Sequence, residues 1–147
     1  MSVKSIFYIL LSGLMLSACS TKPQPIEYGK DQCIFCKMNV VDKAHSAQLV
    51  TTKGKQYKYD AIECLINDID KREAADIAIM LVANFNNPGE MLIAEKATYL
   101  ISPGIKSPMG AFLSAVDQTE VAHSLVEKNG GDVYNWQSVI TVINAYE

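Results

Sequence analysis

Histidine, tryptophan and clustered positive charge are scarce in this chain of 147 residues, which has two His, one Trp, and thirteen Lys and Arg against sixteen Asp and Glu. The basic residues are scattered and the pI is near 5.4, so nothing points to nucleic acid as a partner. No Ser/His/Asp set, paired carboxylates or phosphate-cradling loop stands out, which leaves a hydrolase or transferase without support. After the first apolar run, no stretch is long enough to cross a bilayer.

That first run follows a short positive start at Lys4. Residues 6–16 are apolar but too few to span a membrane, and Leu16-Ser-Ala-Cys19 closes the run with small residues before a cysteine. The pattern resembles the lipobox of bacterial lipoproteins. It implies a signal peptide over residues 1–18 and a lipid-modified Cys19 that begins the mature chain and anchors it to a membrane. Ser20, in place of an acidic residue, fits the outer membrane, with the protein facing the periplasm. Export leaves Cys33, Cys36 and Cys64 in an oxidising compartment, where an odd number of thiols is a flag for a role beyond structural pairing.

Residues 19–31 are polar, contain two of the chain's prolines in Lys22-Pro-Gln-Pro25, and read as a tether, with one α+β domain over 32–147. Residues 45–52 and 56–59 flank Lys53-Gly54-Lys55 as a hairpin. Asp60 with Glu63 is a variant capping box, and Ile62, Leu65, Ile66 and Ile69 give a helical stripe over about 60–72. The runs 77–85, 97–101 and 111–116 are strand candidates, and Met80 is a core filler. A second helix carries Val121, Ala122, Leu125 and Val126 and ends at Gly130-Gly131, with His123 off its stripe and solvated. A short strand over 132–134 leads to Asn135 as a cap and a last helix with Trp136, Val139, Ile140 and Ile143. Tyr59-Asp60 and Tyr134-Asn135 each precede such a stripe, consistent with two similar strand-strand-helix halves or with chance likeness. Either way the order predicts an antiparallel sheet with helices on one side.

The chemistry gathers at Cys33-Ile-Phe-Cys36-Lys-Met38. Two thiols and a thioether this close suit a soft ion, above all Cu(I). In extended chain Cys36 and Met38 project from one face, and Cys33 joins through the Cys-x-x-Cys turn. Zinc is served less well, because methionine is a poor ligand for it, and covalent haem would require His where Lys37 stands. A Cys33/Cys36 disulfide or redox pair remains a reading beside the metal site. Met109, held between Pro108 and Gly110, is a second thioether that nothing local buries. His45 is a candidate nitrogen ligand, and Cys64 falls opposite its helical stripe, either covered by a second layer or exposed to a partner thiol.

The lipobox, the Cys-x-x-Cys-x-Met run, Tyr59-Asp60 with the helix holding Cys64, Ala97-Thr-Tyr99, Ser107-Pro-Met-Gly110 and Gly130-Gly131 together resemble the nitrous oxide reductase accessory lipoprotein family. The resemblance implies a periplasmic Cu(I) chaperone that serves assembly of the copper centre of nitrous oxide reductase, with that enzyme or its membrane transporter machinery as partner. It implies an α+β fold of two similar halves, akin to the organomercurial lyase type. By that match Cys36 with one or both of Met38 and Met109 are the ligands, and Cys33 or His45 can supply an optional third or exchange ligand. Lys37 stands where the family often has glycine. The alternative outside this family is an extracytoplasmic thiol-disulfide protein.

Overall fold

The computed structural model describes residues 20–145, so the expected signal peptide and Cys19 lie outside it. Within this range no helix is long and apolar enough to cross a membrane. Strands β1 (Ala47–Thr51) and β2 (Gln56–Tyr59) form the expected hairpin. Strands β3 (Ile77–Ala83) and β4 (Met91–Ile93) extend it to a four-stranded antiparallel sheet of order β2-β1-β3-β4. Strands β5 (Thr98–Ile101), β6 (Leu113–Val116) and β7 (Asp132–Tyr134) make a second antiparallel sheet of order β6-β5-β7. Among the described residues the α-helices are α1 (Ile62–Ile69), α2 (Thr119–Asn129) and α3 (Trp136–Asn144).

This is the predicted α+β class, with two sheets where one was expected. In each half a strand that flanks the central strand, β2 or β7, runs straight into a helix, α1 or α3. These two helices pack together, and their stripes join Leu49, Val82, Tyr99, Leu113 and Ala115 in one core. The second half differs by placing β6 and α2 between β5 and β7. Alternation along β5 explains α2: Tyr99 enters the main core, while Leu100 faces a smaller cluster with Val116 and Ala122.

Residues 22–28, within the tether expected from sequence, lie on the outer face of the first sheet. Gln48 Nε2 donates to the Gln24 carbonyl at 3.0 Å and to Gln56 Oε1 at 2.7 Å, and Tyr28 Oη meets Ser46 Oγ at 3.1 Å. These bonds account for a buried glutamine in the middle of β1.

The expected capping box at Asp60 does not form, because the N-cap of α1 is Ala61. Asp60 Oδ1 accepts from the Val41 N–H instead, and Glu63 turns towards Ser107. At α3 the cap expected from Asn135 does form, with Ser138 completing a reciprocal box. Gly131 has φ +102°, and a Cβ there would sit 2.0 Å from the Ile101 carbonyl oxygen, so only glycine lets the chain pass from α2 into β7. Met80 is buried in the core and His123 is exposed, as the sequence suggested.

Candidate metal centre

The Cys33–Met38 segment closes as a turn. The Lys37 N–H donates to the Cys33 carbonyl at 3.0 Å, the Cys33 N–H to the Met38 carbonyl at 2.8 Å, and the Ile34 N–H to Lys58 of β2 at 3.1 Å. Lys37 has φ +66°, a left-handed conformation. Closing so tight a turn requires it, and it is a conformation that glycine takes at no steric cost and lysine does not. The extended geometry expected to put the Cys36 and Met38 side chains on one face is therefore absent. Met38 is half exposed, and it serves Cys36 through its backbone N–H.

The turn brings Cys33 and Cys36 against the first turn of α1, where Cys64 sits. The three sulfur atoms lie within 4.8 Å of one another, all as free thiols. Cys33 and Cys64 are buried, and Cys36 is the partly exposed member. Cys64 is thus covered, and it faces Cys33 and Cys36 within the chain, not a partner's thiol. Its place opposite the apolar stripe follows from the burial of α1 all round its first turns, from Ile62 to Ile66.

The environment splits the three thiols. Cys33 is lowered to about 5, first because the Cys64 thiol donates to it, and against the opposing effect of burial. Backbone N–H groups of Asp60 and Cys36 add to this, the latter at 3.4 Å. The Asp60 N–H lies just before Ala61, the N-cap of α1. Cys36 is raised by burial, and Cys64 is raised by its donation to Cys33 and then by burial. One thiolate flanked by two thiols is a soft, low-coordinate donor set. It fits Cu(I) better than zinc, for which no fourth Cys or His joins the cluster among the described residues.

Cys64 also faces a cleft of about 470 Å³, with Met109 and Phe112 on the turn before β6 and Phe35 on the cysteine turn. Met109 is 42% exposed and lines the open side of the cleft that Cys64 borders. His45 is elsewhere. Its Nδ1 meets Asp42 Oδ2 at 2.9 Å, its Nε2 meets Ser114 Oγ at 3.1 Å, and its ring lies 5.5 Å from Phe85. Both nitrogens are occupied, in a tie between the turn before β1 and β6.

Of the residues singled out from sequence, the structure gathers Cys33 and Cys36, sets Met109 on the adjoining cleft, leaves Met38 at the surface and keeps His45 apart. Cys64 is the member that sequence reasoning left undecided. The odd thiol count was its one signal.

Fold and donor set define a small α+β domain with a buried three-cysteine centre of the soft-metal type. The family model described as NosL matches residues 25–142, and the chain belongs to that family, as the motif resemblance indicated. Among solved structures, the chain is similar to the crystal structure of the copper chaperone NosL from Shewanella denitrificans. The TM-score is 0.70 and the identity 16%, over 80% of this chain and 95% of that one. No curated protein sequence matches.

Proposed function

We propose that this protein is a copper chaperone that carries one Cu(I) and delivers it for assembly of the copper centre of nitrous oxide reductase. The observation that carries the reading is the three-sulfur cluster within 4.8 Å beside a thioether-lined cleft. Membership of the NosL family supports it, as does a solved relative described as a copper chaperone. Cys33, Cys36 and Cys64 hold the ion, and Met109, with Met38 at the surface, offers weaker neutral sulfur to an ion on its way out. A thiolate retains Cu(I) while thioethers exchange it readily, which suits delivery rather than storage. The protein performs no turnover in this role. Lipid at Cys19 holds it on the periplasmic face of the membrane, within reach of the reductase or its transporter complex.

The thiol-disulfide alternative is disfavoured by burial. A redox cysteine needs an accessible thiolate, and here the thiol of lowest pKa, Cys33, is fully buried. Anaerobic native mass spectrometry after adding Cu(I) tests the proposal. One Cu(I) per chain is expected to persist in a moderate excess of Zn(II), and to pass to apo nitrous oxide reductase. Displacement by equimolar Zn(II) would reject it.

A further inference from the structure

Helix α1 turns Glu63 and Asn67, four residues apart, into the same cleft. Glu63 is 5% exposed. Its Oε1 accepts from Ser107 Oγ at 2.7 Å and from the Ala111 N–H at 3.3 Å. Its Oε2 is buried without a partner, and so is Asn67 Oδ1. Among the described residues no cationic side chain pairs with Glu63. A buried carboxylate is ordinarily paired, so the fold bears the cost of two orphaned acceptors, both on residues that line this one cavity. That arrangement fits a ligand which donates hydrogen bonds and brings positive charge.

The remaining walls narrow the choice. Phe35, Ile101, Phe112 and Ile143 give aromatic and aliphatic surface, suited to the stem of a long basic side chain and to a cation over a ring. Two acceptors one helical turn apart suit the several donors of a guanidinium. A hard metal ion wants six or more oxygens, and a soft one avoids them. Met109 and Phe112 of the lining are exposed hydrophobics, as are Ile34 and Met38 on either side of Phe35 in the cysteine turn, so the cleft opens on a face with the character of a protein-docking surface rather than of a small-molecule pore.

We propose that the cleft receives an arginine side chain of the protein to which copper is handed. Its guanidinium donates to Glu63 Oε2 and Asn67 Oδ1, which seats the acceptor's own copper ligands beside Cys64 and Met109. The inference rests on the chaperone reading for the identity of that partner, while the arginine preference belongs to the cleft itself.

The test is a titration of the reduced full-length chain in detergent with N-acetyl-arginine methylamide, followed by NMR at the Ala111 and Phe112 amides. The neutral N-acetyl-norleucine methylamide is the comparison. Saturable shifts are expected with the arginine probe and none with norleucine. Glu63→Gln is expected to weaken arginine binding at least tenfold. Asn67→Leu, which leaves the Glu63 bonds to Ser107 and Ala111 intact, is expected to weaken it severalfold and serves if the first variant does not fold. Equal response to both probes, or arginine binding unchanged in the folded variants, would overturn the proposal. Cu(I) uptake by the same samples is read separately. Arginine binding without Cu(I) uptake would sink the chaperone reading alone, and Cu(I) uptake without arginine preference would sink the cleft assignment alone.

Discussion

The Cys64 thiol donates to the sulfur of Cys33, a contact between α1 and the turn before β1 that lowers the pKa of Cys33 and raises that of Cys64. It favours the anionic form of a buried cysteine. Cys64→Ala removes the first cause of the shift. The ultraviolet absorbance of a thiolate is expected at pH 7 in the native chain, and in this variant only nearer the ordinary thiol range of about 8.5. Unchanged absorbance would assign the anion to backbone donors alone.

Cu(I) affinity is expected to rise with pH. Cys36 and Cys64 are raised and hold their protons at neutrality, so an ion bound by both must displace two. Each contributes up to about tenfold per pH unit until its raised pKa is passed. Below about 5 Cys33 also takes up a proton, and the dependence steepens. Competition titrations at several pH values measure the slope; in Cys64→Ala the proton lost with Cys64 is replaced at neutral pH by the one Cys33 then holds, so the slope there should stay near its native value.

His45 ties the turn before β1 to Ser114 of β6, 69 residues on, and His45→Ala is expected to destabilise the fold by about 2–4 kcal/mol through lost packing and an orphaned Ser114 hydroxyl. Because the ring lies outside the sulfur cluster, Cu(I) stoichiometry should not change. Urea unfolding beside a copper titration reads both effects. A fall in stoichiometry without a fall in stability would restore His45 as a ligand.

Lys37→Gly relieves a left-handed residue and is expected to be neutral or to stabilise by up to about 1 kcal/mol, net of the lost bond from Lys37 Nζ to the Ile34 carbonyl. Lys37→Val, β-branched at the same φ, should destabilise by more than about 1 kcal/mol. Chemical denaturation distinguishes the two.

Most elements were legible because their signals are local. The stripes of α1 and α3, the Asn135 cap and the Gly130-Gly131 stop each lie within a few residues. What escaped depends on distant chain. Strand β4 at Met91–Ile93 is too short to alternate visibly and exists by pairing with β3. Glu63 looked like a cap partner because nothing nearby announces Ser107, 44 residues on. Cys36-x-Met38 read as extended because the positive φ of Lys37 is not what a lysine predicts. Cys64 could not be placed from its stripe, since the layer covering it comes from the Cys33 turn.

The central claim is that three cysteine sulfurs hold the copper. Copper K-edge X-ray absorption on the Cu(I)-loaded, reduced chain tests it most directly. The expected result is a first shell of three sulfurs only, at about 2.2–2.3 Å as for other metal-thiolate bonds, reduced by one in Cys64→Ser. A nitrogen or oxygen in the first shell, or a shell unchanged by Cys64→Ser, would contradict the assignment.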